Sequence, residues 1–252
     1  MKEIPLSFYA DLNFDDFQKL AGDQNLSRHQ KVGFPDDYRE GHEQNIFNDI
    51  CDKVTNVFNK NQNILDIGPG CSQLPEYLYR ICLNKNSQLS FVDGKAMLDL
   101  LPEDKIITKY QGQFPSALEE DFNSLIGTFD VIISYSVIQY VFADDNLWKF
   151  LDNCLSLLSN GGQLLLGDIP NSSMRKRFFC SDIGIETHKK FSKSDEVPKV
   201  NFNCIETNLI DDSVVLGLLN RARNQGFHGW ILPQKTNLPF ANRREDILIV
   251  KP

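Results

Sequence analysis

The stretch Ile64-Leu65-Asp66-Ile67-Gly68-Pro69-Gly70-Cys71-Ser72 has an apolar run that ends in an acid, followed by two glycines one residue apart. This order predicts a β-strand, a tight turn and the start of a helix. Glycine has no Cβ, so such a turn lets a ligand approach the backbone closely. The N–H groups at a helix start carry a partial positive charge that suits a carboxylate or phosphate. We therefore expect a nucleotide-like ligand at Gly68 and Gly70.

Strand patterns and helix patterns alternate on both sides of this turn, which predicts an α/β fold with a doubly wound parallel sheet. The predicted strands cover residues 63–67, 88–94, 106–110, 129–134, 163–167, 229–232 and 246–250. The linker 233–245 is too short for a crossover helix, so the last two strands are expected to be antiparallel neighbours.

Three segments of different character organise the chain. Residues 1–44 are polar with scattered aromatic side chains, and they fit either a helical cap over the site or an arm packed on the domain. Residues 45–252 form the predicted main domain. Within it, residues 170–210 look irregular and polar, which suggests an insertion on the substrate side. The helix before strand five is expected to end at Asn160-Gly161-Gly162.

Composition narrows the classes of protein and partner. The 252 residues, 41% hydrophobic, suit one sizeable domain with or without a lid, and the net charge of −8 disfavours nucleic acid. The six cysteines show no C-x-x-C spacing, so we expect reduced, buried thiols and no zinc site. Neither a signal peptide nor a membrane span is predicted, which favours the cytoplasm. The sequence does not indicate the oligomeric state.

Over residues 45–250 the chain resembles class I S-adenosylmethionine-dependent methyltransferases. The resemblance rests on an ordered set of features: the D-x-G-x-G turn at 66–70, the strand-end acid Asp93, the pair Gly112-Gln113, the apolar run 129–134 followed by Val137-Ile138, and Gly161-Gly162. It implies a Rossmann-like seven-stranded sheet of order 3-2-1-4-5-7-6, with strand seven antiparallel.

The resemblance also implies roles for single residues toward S-adenosylmethionine. Gly68 and Gly70 would face its methionine portion, and Asp66 its amino group. Asp93, followed by Gly94, would accept both ribose hydroxyls. The adenine and methyl-group contacts would come from Gln113, Met97, Phe114 and Ser134, although an acid is commoner than glutamine at the Gln113 position.

Two other functions fit parts of the same pattern. A nicotinamide-dependent oxidoreductase also needs a glycine turn and a strand-end acid. However, Gln73 stands where the third glycine of G-x-G-x-x-G is required, and no tyrosine is followed by a lysine four residues later. No phosphate-binding P-loop is present. The remaining alternative is a binding protein that holds S-adenosylmethionine without catalysis.

The acceptor is predicted mainly from absences and from one further resemblance. No Asn/Asp-Pro-Pro-Tyr/Phe motif and no evident magnesium-binding acid cluster occur, so we expect a small polar acceptor and no metal. Residues 238–249 are similar to methyltransferases of bacterial surface-polysaccharide biosynthesis, which implies O-methylation of a sugar or a nucleotide- or phosphate-linked sugar.

An alcohol acceptor needs a base, and a base must lie near the strand tips. Asp168 and His188 are the main candidates, ahead of His29, His42 and His228, although Asp168 would equally well cap the turn into Ile169-Pro170. Tyr135 is predicted to contact the acceptor. An acceptor phosphate would be held by Arg243 or by Arg175, Arg177 or Arg244, unless these arginines are solvated surface residues.

Overall fold

The computed structural model describes residues 12–204 and 206–252, with only the backbone of Asp37. The first eleven residues of the predicted cap therefore lie outside the described residues. Seven strands form one sheet, and their bounds are β1 (Asn63–Ile67), β2 (Gln88–Asp93), β3 (Ile107–Gln111), β4 (Phe129–Tyr135), β5 (Leu158–Pro170), β6 (His228–Pro233) and β7 (Arg244–Val250).

The strand order is β3-β2-β1-β4-β5-β7-β6, and β7 runs antiparallel to both of its neighbours. The predicted doubly wound, Rossmann-like sheet with an antiparallel strand seven is therefore confirmed. The central strands β1 and β4 pair in parallel, with Leu65 beside Ile132. Both residues are fully buried, as expected for strands that are covered on both faces.

Helices cover both faces of the sheet. Their bounds are α1 (Phe14–Gly22), α2 (Arg28–Lys31), α3 (Asp36–Arg39), α4 (Glu43–Lys53), α5 (Leu74–Lys85), α6 (Lys95–Leu98), α7 (Phe122–Leu125), α8 (Ile138–Asp144), α9 (Leu147–Leu157), α10 (Ser172–Phe179), α11 (Asp182–Ser192) and α12 (Asp212–Asn224). One core contains Phe150 of α9 and Leu218 of α12, and the other contains Ile50 of α4 and Leu78 of α5. Two hydrophobic layers therefore enclose the sheet.

The N-terminal segment contains three short helices, α1, α2 and α3, between residues 14 and 39. Asn13 caps α1 in a reciprocal capping box with Asp16, and Ser27 caps α2 in the same way with Gln30. The helix α1 packs against α6, which follows the tip of β2. This segment therefore lies over the carboxyl ends of the strands, although its status as a separate cap stays a prediction.

Two predictions about chain segments are wrong. Residues 170–210 are not irregular throughout, because α10 and α11 form there, with Asn171 and Ser181 accepting hydrogen bonds from their first-turn N–H groups. The helix α9 ends at Leu157 rather than at 160–162, because β5 already begins at Leu158 and pairs with β4. Gly161 instead adopts a positive φ of 74° and donates its N–H to the Lys251 carbonyl.

Cysteine burial also differs in part from the prediction. Four thiols are buried, but Cys180 and Cys204 are exposed. Within residues 12–204 and 206–252, no helix has the length and apolar character needed to cross a bilayer. In the same residues, no group of three or more histidine, cysteine or acidic side chains is placed to hold a metal ion.

Candidate functional site

The glycine turn after β1 has a backbone conformation that residues with a Cβ rarely adopt. Gly68 and Gly70 have φ of 67° and 64°, in the left-handed region. A Cβ on Gly68 would lie 2.6 Å from Val137, and one on Gly70 would lie 2.7 Å from Val32. The turn is therefore held open to a ligand on one side and packed tightly on the other.

A first cavity of about 350 Å³ opens beside this turn, at the carboxyl ends of β1, β2 and β4. Its sheet side includes Asp66, Asp93, Gln113 and the glycine turn. Its other side comes from the N-terminal segment and α8, and includes Asn13, Phe14, Asp15, Phe17, Val32, Phe34, Tyr140 and Asp144. The N-terminal segment therefore helps to enclose the cavity.

The buried Asp66 and the partly buried Asp93 are carboxyl groups of the first cavity whose pKa values are raised. Burial raises the pKa of Asp66 to about 8, and the nearby charge of Asp93 adds to the rise. Burial likewise raises the pKa of Asp93 to about 6, while N–H donation from Gly94 and Gly70 opposes the shift. A cation or hydroxyl donors beside either side chain would stabilise its ionised form.

Asp66 in particular has an unused carboxylate. Its side chain is only 7% exposed, yet no hydrogen bond or ion pair among residues 12–204 and 206–252 uses it. A largely buried carboxyl group without a protein partner is available to a ligand that supplies a cation or hydrogen-bond donors. An ammonium group at Asp66 and paired hydroxyls at Asp93 would fit the donors and acceptors that the cavity presents.

The predicted adenine and methyl-group contacts are divided by the structure. Gln113 and Met97 line the first cavity. Phe114 does not line it: its ring packs edge-on against Phe150 in the core, with 5.1 Å between ring centroids, so its adenine contact stays a prediction. Ser134 is fully buried and does not line the cavity, whereas Ser136 does, so the predicted contact of Ser134 with the methyl group stays a prediction.

Gly94 follows Asp93 and donates its N–H to the Asp93 carboxylate at 2.7 Å. Gly94 lies beneath the N-terminal helix α1, where a Cβ would overlap the Gln18 amide at 1.8 Å. Gln18 also accepts a hydrogen bond from the Ala96 N–H at 3.0 Å. Because Gly94 has no side chain, α1 can pack closely against it. Direct contact of Gly94 with a ligand stays a prediction.

Asp168 is the centre of a buried polar network. Its carboxylate accepts hydrogen bonds from Arg39 at 2.8 Å, Arg244 at 2.5 Å and Ser136, while Gln234 donates at 3.2 Å. Its carboxylate contributes to neither of the two larger cavities, but to a small one beneath them. With four donors already bound, this carboxylate is better suited to hold Arg39 and Arg244 in place than to remove a proton.

Arg39 and Ser136 are functional-site residues that the sequence reading missed. Arg39 is 7% exposed and reaches from α3 to the tip of β5, with its guanidinium 4.0 Å from the Phe34 ring centroid. Ser136 adopts a left-handed φ of 62° directly after β4. Nothing in the spacing of the sequence indicates the Arg39–Asp168 pair, although Ser136 stands two residues beyond the predicted Ser134.

A second and larger cavity of about 1190 Å³ lies between α10, α11 and the segment before β7. His188 and Arg243, predicted as base and acceptor contact, both line it. The His188 ring packs edge-on against Phe179, with 5.9 Å between centroids. Tyr135 lines the first cavity instead, and its hydroxyl accepts a long 3.4 Å hydrogen bond from Gln234, so the structure does not place it at the second cavity.

Two aromatic residues border both cavities. Phe34 from the N-terminal segment and Tyr140 from α8 contribute to the lining of each. Tyr140 is held edge-on by Phe17 at 5.0 Å between centroids, and burial raises its hydroxyl pKa. Groups bound in the two cavities would therefore meet at these rings, and their apolar surfaces would exclude water from the junction.

The sheet order, the glycine turn and the cavity at the strand tips define the fold of class I S-adenosylmethionine-dependent methyltransferases. No family model and no curated protein matches the sequence. Solved structures, in contrast, match almost the whole chain.

The plantazolicin methyltransferase BpumL, solved with S-adenosylhomocysteine and a desmethylplantazolicin analog, is 14% identical, with a TM-score of 0.59 over 93% of this chain and 94% of its own. The N-methyltransferase NodS from Bradyrhizobium japonicum, also solved with S-adenosylhomocysteine, is 12% identical, with a TM-score of 0.55 over 96% and 100%. The CurJ carbon methyltransferase is 17% identical, with a TM-score of 0.53 over 94% and 64%. Similarity at these identities establishes the fold.

Proposed function

We propose that this protein is an S-adenosylmethionine-dependent methyltransferase that acts on a small polar acceptor. The observation that carries the proposal is the unpartnered, buried Asp66 beside the Gly68–Gly70 turn, with Asp93 one strand away. The structural neighbours BpumL and NodS, both solved with S-adenosylhomocysteine, support the same cofactor. The nicotinamide-dependent alternative gains no comparable observation, and turnover with an acceptor distinguishes an enzyme from a protein that only binds the cofactor.

S-adenosylmethionine carries its methyl group on a positively charged sulfur, so the protein contributes mainly alignment and exclusion of water. In this proposal Asp66 holds the amino group, Asp93 the ribose hydroxyls and Gln113 the adenine. The first cavity is lined by four acidic side chains and one basic side chain, a balance that suits a cationic ligand. Phe34 and Tyr140 exclude water where the methyl group would leave the first cavity.

The acceptor in this proposal occupies the second cavity. From the sequence resemblance, we propose that this acceptor is a sugar and that it is methylated on oxygen. The names of the structural neighbours indicate other acceptors, since NodS is an N-methyltransferase and CurJ is a carbon methyltransferase. The neighbours therefore do not favour a sugar. His188 is the proposed base because it lines this cavity, whereas Asp168 is fully engaged by Arg39 and Arg244.

Ligand binding followed by turnover tests the proposal. S-adenosylhomocysteine should bind in calorimetry while NAD should not, and the reverse result would establish the oxidoreductase. A screen of sugar nucleotides, sugar phosphates, amines and lipids with S-adenosylmethionine should then show an acceptor that gains the mass of one CH₂ unit. Modified sugars would support O-methylation of a sugar, and exclusively amine or lipid products would exclude it.

His188→Ala tests the proposed base, with His228→Ala as a matched control. His228 is exposed at the start of β6, on the edge of the sheet, and lines neither cavity. Loss of a general base should lower turnover about 100-fold or more while cofactor affinity stays unchanged. Equal turnover in the two variants would place the base elsewhere.

A further inference from the structure

The second cavity has a positively charged lining in a protein with a net charge of −8. Two glutamates, Glu196 and Glu206, face five basic side chains there: Arg175, Lys176, Lys199, Arg243 and Arg244. The excess of cations is local, because the first cavity shows the opposite balance. A lining of this kind raises the local concentration of anions.

Several of the basic side chains are already paired with acids. Arg244 binds Asp168 at 2.5 Å, and Glu206 lies 2.9 Å from Lys176 and 3.7 Å from Arg175. Lys199 and Arg243 take part in none of the ion pairs formed by the described residues, but Lys199 is exposed, whereas Arg243 is partly buried. Its charge is therefore available to a ligand.

The Arg243 guanidinium is held in place without using its hydrogen-bond donors. Its central carbon lies 4.5 Å from the Phe240 ring centroid and 5.4 Å from that of Phe179. The backbone is also fixed, since the Arg243 carbonyl accepts the N–H of the buried Asn171 at 3.0 Å. A planar group stacked in this way presents its N–H edge in a defined direction.

Burial and the neighbouring charges of Arg244 and Arg175 lower the pKa of Arg243, although the guanidinium stays charged at neutral pH. A bound anion would relieve both effects at once. Guanidinium groups bind phosphates and carboxylates through two parallel hydrogen bonds, which matches a fixed, unused edge.

We propose that the second cavity selects an acceptor bearing an anionic group, a phosphate or a carboxylate, and that Arg243 binds this group. The inference rests on the proposed function, because the ligand is taken to be its acceptor. Of the four arginines singled out in the sequence, Arg243 is the one that recognises the ligand. Arg244 supports the wall of the cavity through Asp168, and Arg177 pairs with Asp212 at 2.5 Å and does not line the cavity.

Three probes that share one ring test the proposal: phenyl phosphate, benzoate and benzyl alcohol, each titrated by calorimetry into the full chain saturated with S-adenosylhomocysteine. At least one of the anions should bind about tenfold or more tightly than the alcohol. The stronger of the two anions identifies whether phosphate or carboxylate chemistry is preferred. No preference for either anion, or no binding by any probe, would overturn the proposal.

Arg243→Gln should remove about tenfold or more of the anion affinity, while Arg177→Gln should leave it unchanged. Both variants should retain wild-type affinity for S-adenosylhomocysteine, which separates failure of this inference from failure of the proposed cofactor. Arg243→Lys keeps the charge without the stacked plane and should retain part of the affinity if Arg243→Gln is poorly folded. Unchanged anion affinity in both Arg243 variants would contradict the assignment.

Discussion

The two cavities differ in charge, size and origin. The first is small and acidic, and its ligand-facing groups come largely from the ends of β1 and β2. The second is more than three times larger and basic, and helices and loops outside the sheet form most of it. A parallel sheet fixes the positions of its strand ends, whereas peripheral helices adapt to different ligands. Under the proposed function, the fixed strand ends would hold the cofactor and the peripheral helices would determine the acceptor.

Asp168→Ala tests the buried network through which Asp168 holds Arg39, in the wall of the first cavity, and Arg244, in the wall of the second. It should have the largest effect. The substitution leaves Arg39 and Arg244 buried without their shared carboxylate, so the free energy of unfolding should fall by about 3–5 kcal/mol. Urea titration measures the change. Asp152→Ala, which breaks the half-exposed pair with Arg221, is the control and should have a much smaller effect. Equal losses would show that the network does not support the wall.

Asp93→Ala tests whether the acidic cavity holds the cofactor. Removal of an acceptor for two hydroxyl groups should lower the affinity for S-adenosylhomocysteine about 100-fold, with an unchanged circular dichroism spectrum. Calorimetry gives the affinity directly. Asp99→Ala is a nearby control, because Asp99 is exposed and pairs with Lys95 at 2.8 Å. Wild-type affinity in Asp93→Ala would remove the ribose assignment.

Asp66 should make the stability of the ligand-free protein depend on pH. Its pKa is about 8 in the folded protein and 3.8 in the reference state, so the folded protein retains a proton that the unfolded chain releases. Stability should therefore fall as the pH rises from about 4 toward about 8. Asp93, with a pKa of about 6, contributes to the lower part of this range.

Asp66→Asn removes the titration of Asp66 and leaves that of Asp93. At about pH 8 the free energy of unfolding of this variant should exceed that of the wild type by more than about 1 kcal/mol. Urea unfolding at several pH values gives the comparison. Binding of S-adenosylhomocysteine to the wild type should strengthen over the same rise in pH, because the ammonium group requires the ionised carboxylate. Identical pH profiles for the two proteins would show that Asp66 is not protonated in the folded state.

Phe114→Leu has the smallest expected effect and sharpens the boundary of the first cavity. Because Phe114 packs in the core, the substitution should cost no more than about 1.5 kcal/mol of stability and leave cofactor affinity unchanged. Met97→Leu, at a buried position that does line the cavity, should change that affinity by a few fold. A large loss of cofactor affinity in Phe114→Leu alone would support the predicted contact of Phe114 with adenine.

The sequence predicted the first cavity better than the second for a physical reason. A strand that ends in an acid and two glycines is a local pattern, so Asp66, Gly68 and Gly70 were placed correctly relative to the sheet. The parallel sheet then brings Asp93 beside them, because β1 and β2 are neighbours. The strand order itself came from the family resemblance, and the structure confirms it.

The second cavity depends on contacts between distant residues, for which a single sequence carries no signal. Arg244, which lines this cavity, pairs with Asp168 at a separation of 76 positions, and no periodicity indicates the pair. The helices α10 and α11 bury only Ser172 and Gly184, so no stripe of buried apolar side chains marks them in the sequence. Their N-caps Asn171 and Ser181 were visible signals that the reading of this segment overlooked.

Phe34 and Tyr140, which border both cavities, have a thermodynamic consequence. Any shift of these rings that one ligand requires changes the free energy of binding the other, because the same atoms form a wall of each cavity. By linkage, the factor by which an acceptor alters cofactor affinity must equal the factor by which the cofactor alters acceptor affinity. Occupancy of one cavity can thus be read as a change in affinity at the other, without any movement of the sheet.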